Sequence, residues 1–85
     1  MYLEIITPDE KVFEGEVVSA TFPGSDGSFQ LLNDHAAMVS SLAGGDVKLI
    51  EEHDKKQTET HIEITGGVLE VVNNKVILLA ESILT

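Results

Sequence analysis

The chain has 85 residues, enough for one domain with one small core, and at 42% hydrophobic residues it is too apolar for a disordered acidic tail. It contains no cysteine, which excludes disulfides, thiolate metal sites and a cysteine nucleophile. Fifteen acidic residues stand against five lysines, a formal net charge of −10, so nucleic acid and anionic lipid are poor partners and a basic protein surface is a better one.

Turn signals punctuate the whole chain: Thr7-Pro8-Asp9, Gly15, Pro23-Gly24, Asp26-Gly27, Asn33-Asp34, Gly44-Gly45, His53-Asp54, Gly66-Gly67 and Asn73-Asn74. Their spacing, roughly 8–12 residues, is that of an all-β sandwich or barrel. Between them the hydrophobic period is two. Leu3 and Ile5 oppose Tyr2, Glu4 and Ile6, and Val18, Ala20 and Phe22 oppose Val17, Ser19 and Thr21. Next comes the one segment that breaks the pattern. Asp34 can cap a short helix over His35 to Leu42 that stops at Gly44, and local signals read it so. Val47 and Leu49 then alternate with Lys48 and Ile50, and Thr58, Thr60, Ile62 and Ile64 with Gln57, Glu59, His61, Glu63 and Thr65.

The clearest local hairpin runs from Val68 to Leu79 around Asn73-Asn74, because asparagine tolerates the left-handed conformation of a two-residue turn. This register pairs Val71 with Val76 and Leu69 with Leu78 on one face. The other face, with Val68, Glu70, Val72, Lys75, Ile77 and Leu79, remains largely apolar. Such strands are either wholly internal or covered by something outside the domain.

Candidate chemistry is sparse. His61 and Glu63 share a strand face, and His35 or His53 could complete the two-histidine, one-carboxylate site of a small cupin-like metalloenzyme. Against that, His61 and Glu63 fall on the hydrophilic side, His53 sits in a charged turn, and the His-x-His pair of cupins is missing. Gly24-Ser25-Asp26-Gly27-Ser28 resembles half a phosphate loop but lacks the Gly-Lys-Ser/Thr ending, and reads as a tight turn. No Gly-x-Ser-x-Gly elbow occurs, and the acid pairs Asp9-Glu10 and Glu51-Glu52 lie where burial would not raise a pKa. No catalytic residue, metal ligand or cofactor is therefore expected. The physical reading alone is an acidic all-β binding module or adaptor.

The residue strings go further. Leu3-Glu4-Ile5-Ile6-Thr7-Pro8, Phe13-Glu14-Gly15-Glu16-Val17, Pro23-Gly24-Ser25-Asp26-Gly27-Ser28-Phe29, His35-Ala36 and Gly66-Gly67-Val68-Leu69-Glu70-Val71 follow in the order and spacing of one family. Residues 2–82 resemble the N-terminal β-sandwich domain of the epsilon subunit of F-type ATP synthases. The resemblance implies one all-β domain over residues 1–85, a flattened β-sandwich of about ten short strands in two sheets. It also makes the segment from residue 35 to 42 a strand rather than a helix. The implied function is a non-catalytic rotor-stalk subunit that links the gamma subunit to the membrane c ring and couples proton or sodium flow to ATP synthesis. By position, Asp26, Ser28, Phe29 and Gln30 resemble the loop that meets the c ring. Thr7, His35 and Ser40 resemble the gamma-facing side, and the apolar Val72 and Ile77 suit burial against gamma.

The chain reads Asn33-Asp34 where the family commonly has Pro-Gly before His-Ala, an exchange of one turn for another. After Glu81-Ser82-Ile83-Leu84-Thr85 no sequence remains for the family's helical hairpin, so inhibition by hairpin extension and its ATP site are not expected. Met1-Tyr2-Leu3-Glu4 shows no targeting segment, and the longest apolar run, Val76 to Ala80, is far below the about 18 residues of a membrane span. The expected location is the cytoplasmic side of a bacterial cell membrane, peripheral to it.

Overall fold

The computed structural model describes residues 1–84. Nine strands follow in order: β1 (Tyr2–Ile6), β2 (Lys11–Glu16), β3 (Ser19–Gly24), β4 (Gly27–Leu32), β5 (Met38–Leu42), β6 (Gly45–His53), β7 (Lys56–Ile64), β8 (Gly67–Val72) and β9 (Lys75–Ala80). A lone bridge between Ile64 and Ile83 adds a tenth short extended piece. All strand pairs are antiparallel except β1 with β9.

Hydrogen bonding runs through one curled sheet in the order β2-β1-β9-β8-β5-β3-β6-β7, with β4 on the other side of β3. The expected two sheets correspond to the halves β2-β1-β9-β8-β5 and β4-β3-β6-β7, which a single register pair, Gly24 with Leu42, joins at a corner. Backbone bonds from Ser25 to the Ser41 carbonyl and from Ala43 to the Pro23 carbonyl flank that pair at 3.3 and 2.8 Å. The inward faces of both halves meet in one core. Leu3 and Ile5 of β1, Leu69 and Val71 of β8, and Val76 and Leu78 of β9 come from the first half. Ala20, Phe22, Leu31, Val47, Leu49 and Ile64 come from the second.

The period-two reading holds along β1, β6, β8 and β9, where buried and more accessible residues alternate. The predicted hairpin register is observed, Val71 opposite Val76 and Leu69 opposite Leu78. Its turn is Asn73-Asn74 with φ of 51° and 60°, and Asp54-Lys55 closes β6–β7 with φ of 53° and 67°. Both pairs adopt the left-handed conformation that matches strand twist in a two-residue loop.

Three local expectations are corrected. Residues 38–42 form β5, not a helix, as the family resemblance implied. Met38, Ser40 and Leu42 turn toward Val71, Leu69 and Gly67 of β8, and this pairing overrides the helical propensity of an Ala-Ala-Met stretch. Gly15 marks no turn; it lies inside β2 opposite Leu3. Val17, placed opposite Ala20 and Phe22 in the alternation, is buried with them, because β3 begins only at Ser19 and the preceding link folds back over the core.

The corner leaves no room for a side chain at Gly24. A Cβ there would lie 2.6 Å from the Gly27 carbonyl oxygen and 2.9 Å from the Phe29 ring. Gly24→Ala is expected to cost about 1–3 kcal/mol, by the rule for overpacked sites, read as a lower urea midpoint.

His61 of β7 carries a second testable feature. Its Nδ1 lies 2.6 Å from Asp46 Oδ2 on β6 and its Nε2 lies 2.5 Å from Glu59 Oε2. Both nitrogens donate only when the ring is cationic. These two carboxylates hold the imidazole pKa above its ordinary value. Folding therefore favours the protonated ring. The gain is complete below the unfolded value of about 6.5 and vanishes as pH rises through the higher folded value. His61→Gln should thus destabilise the protein at pH 5.5 and have little effect at pH 8.5, measured as urea midpoints against the unsubstituted chain.

Candidate functional site

The uncovered surface of the first half is built by strand alternation. Opposite the core residues of β5, β8, β9 and β1, the outward positions form cross-strand rows. One row reads Val39, Glu70, Ile77, Glu4, and the next reads Ser41, Val68, Leu79, Ile6. Val39 is 71% exposed, Leu79 54% and Val72 45%. Val68, Leu79 and Ile6 therefore stand side by side on the outer face of a chain of net charge −10, with Val39 and Val72 exposed beside acidic and basic neighbours. Of the two explanations for a hairpin apolar on both faces, the internal strand is excluded: one face of β8–β9 is in the core and the other is bare.

Of the five residues assigned to the gamma subunit, four lie on this surface or at its margin. Val72 ends β8 opposite Lys75, and Ile77 lies half-buried between Glu70 and Glu4. Thr7 follows β1 at the rim, where its Oγ1 accepts the amides of Asp9 and Glu10 at 3.3 and 3.2 Å and so shapes the Pro8 turn. With Ile6, Pro8, Leu79 and Ala80 it lines a small hollow of about 280 Å³. His35 is exposed in the 33–37 link, its Nδ1 donating to the Ala36 carbonyl at 2.8 Å. Asp34, at φ 62°, donates its amide to Asn74 Oδ1 at 2.8 Å, which ties this link to the β8–β9 turn.

Ser40 falls elsewhere. It lies on the core side of β5, opposite Leu69, and donates to the Ser41 carbonyl at 3.2 Å. There it lines an open depression of about 740 Å³ between β5 and the β3–β4 turn, shared with Asp26, Ser28 and Phe29 of the segment assigned to the c ring. The turn at Ser25-Asp26 is tight, as expected, with Gly27 at φ 120°. Asp26, Ser28 and Gln30 are exposed, but Phe29 is not a free contact residue. It is half-buried against the core, its ring centroid 5.9 Å from that of Phe22.

The candidate metal ligands do not converge. His53 lies at the β6–β7 turn with its Nε2 3.6 Å from Glu51, His35 sits in the link before β5, and His61 is held between Asp46 and Glu59 instead of beside Glu63. Among the described residues no group of three histidine or acidic side chains is placed to hold a metal ion. Asp46 escaped the sequence reading because it is 15 residues from His61, yet the β6–β7 register places it one step diagonally across. Val39, the most exposed large apolar residue, escaped because its segment reads as a helix, which has no period-two face. No helix among the described residues is long and apolar enough to cross a membrane.

This fold and surface have counterparts among known proteins. A sequence model described as ATP synthase, Delta/Epsilon chain, beta-sandwich domain matches residues 1–85. The ATP synthase epsilon chain of Chlorobium limicola is 43% identical over 81 residues, covering 95% of this chain and 89% of that one. That of Campylobacter curvus is 36% identical over 81 residues and is covered to 60% of its length. A chain in the central stalk and c-ring of the Tetrahymena thermophila mitochondrial ATP synthase superposes with a TM-score of 0.81 at 20% identity, over 98% of this chain and 64% of that one. At that identity the likeness is one of fold. With 16 buried hydrophobic residues in one core and an apolar outer face on the gamma-assigned side, the chain belongs to the ATP synthase delta/epsilon chain β-sandwich family.

Proposed function

We propose that this domain is a non-catalytic subunit of the rotor stalk of an F-type ATP synthase. It sits between the gamma subunit and the c ring, peripheral to the cytoplasmic side of a bacterial membrane. It turns with the ring and helps couple proton or sodium flow to ATP synthesis. The observation that carries this reading is the bare apolar face of β5, β8, β9 and β1 on a chain that belongs to the family. Covering such a face contributes about 25 cal/mol for each Å² of apolar area removed from water. A neighbouring subunit supplies that cover where the domain's own core cannot. Val72 and Ile77 lie on this face, Thr7 at its rim, and His35 on a link tied to its end.

The exposed Asp26, Ser28 and Gln30 suit a basic polar loop of the c ring. Charge complementarity at such a contact governs encounter and register more than affinity. Ser40 lines the same depression as Asp26 and Ser28, so the two partner contacts adjoin at the corner of the fold.

The test is co-purification with a gamma subunit. Lysine in place of both Val72 and Leu79 should weaken gamma binding about tenfold or more with little change in the thermal midpoint, since both side chains lie outside the core at 45% and 54% exposure. Unchanged binding would overturn the assignment of this face. Gln30→Lys, outside the depression that Ser40 lines, should leave gamma binding intact and lower ATP-driven ion pumping in reconstituted vesicles. The half-buried Phe29 is left unaltered because a charge there would disturb the core.

A further inference from the structure

Strand β5 has an unused backbone edge. The bonds flanking the Gly24–Leu42 pair show that the Ser41 carbonyl and the Ala43 amide point away from β8. Backbone polar groups alternate sides from residue to residue along an antiparallel strand. The amide of Ser41 and both polar groups of Val39 therefore point away from β8 as well, while Met38, Ser40 and Leu42 turn theirs toward it. Ser25 takes only the Ser41 carbonyl, and among the described residues no backbone bond outside the strand ladders reaches Val39 or the Ser41 amide.

Natural proteins blunt open edges with charge, proline or bulges. The outer strand β2 carries Lys11, Glu14 and Glu16, and β7 carries Lys56, Glu59, His61 and Glu63. Strand β5, Met-Val-Ser-Ser-Leu, carries none of these devices. β4 is uncharged too, but only the β5 edge runs directly into the apolar outer face through Val39 and its ladder neighbour Glu70.

We propose that β5 is a docking edge, to which a partner protein adds an extended segment by strand pairing in the depression beside the β3–β4 turn. Three backbone bonds, two to Val39 and one from the Ser41 amide, set its register, and alternate side chains of the added strand extend the apolar surface past Val39. Its charge is set by the acids at the edge. Glu70 stands next to Val39 and Asp26 at the lip of the depression, and neither is ion-paired among the described residues. The occupant is thus a segment alternating apolar residues with lysine or arginine. A second copy of this chain is disfavoured, because each copy carries −10.

The inference rests on the stalk reading for the existence of a protein partner, so gamma is the probe. The complex with gamma is compared with the free chain by amide hydrogen exchange, together with Val39→Pro. That substitution removes an N–H directed away from β8 and leaves the β8 ladder its bonds. The expected result is exchange slowed about tenfold or more at Val39 and Ser41, and comparably weaker gamma binding by the variant at an unchanged thermal midpoint. If Val39→Pro does not fold, Ser41→Pro removes the second outward amide and is read the same way. Gamma binding with both amides exchanging as in the free chain, or with the proline variant binding at full strength, overturns strand addition and leaves the stalk reading standing. Failure of the unsubstituted chain to bind gamma overturns both.

Discussion

A small domain built from alternating strands can bury one face of its sheet and no more. Here the inward side chains of both halves, Phe22, Leu31 and Leu49 against Leu3, Leu69 and Leu78, fill a single core and are fully buried. That core is what the chain can supply from its own length. The same alternation sends Val39, Val68, Val72 and Leu79 outward, where the described residues leave them 43–71% exposed. The stability of the domain and its capacity to join an assembly thus come from the two faces of the same strands. A substitution that moved register by one residue would exchange them.

The corner at Gly24 and Leu42 decides the shape around the second contact region. One register pair joins the halves, and a glycine is needed because the backbone of Gly27 and the ring of Phe29 approach too closely for a Cβ. The β3–β4 turn is thereby held against β5. The depression between them, and the placement of Ser40 beside Asp26 and Ser28, follow from that one contact. A non-catalytic coupling part needs fixed geometry between its contacts more than any reactive group. Rigid β pairing across a close corner provides it.

Electrostatics shape the other half differently. The outward positions of β6 and β7 carry Asp46, Lys48, Glu59, His61 and Glu63, and His61 bridges two carboxylates from neighbouring strands. These groups solvate an edge that would otherwise pair with other chains. The histidines that suggested a metal site are accounted for as separate surface groups, each with its own hydrogen bond or ion-pair contact.

Most of the strands and one whole hairpin were legible in the residues, because periodicity and turn chemistry are local. Leu3, Ile5, Val47, Leu49 and the Asn73-Asn74 turn need no knowledge of distant neighbours. The family was legible from ordered strings for the same reason. Contacts between distant segments were not. Whether residues 38–42 would be helix or strand rested on β8, nearly 30 positions later, and the exposure of Val39 and the open edge of β5 rested on that choice. The meeting of Ser40 with the β3–β4 turn, the Asp46–His61 pair and the burial of Phe29 likewise arose only when the sheet curled. Local propensity is weak, about a kilocalorie per residue at most for ordinary residues, and pairing and burial across the fold exceed it. Sequence alone thus specified most of the strands and the surplus of apolar surface, and tertiary pairing decided the strand at residues 38–42 and where that surplus would face water.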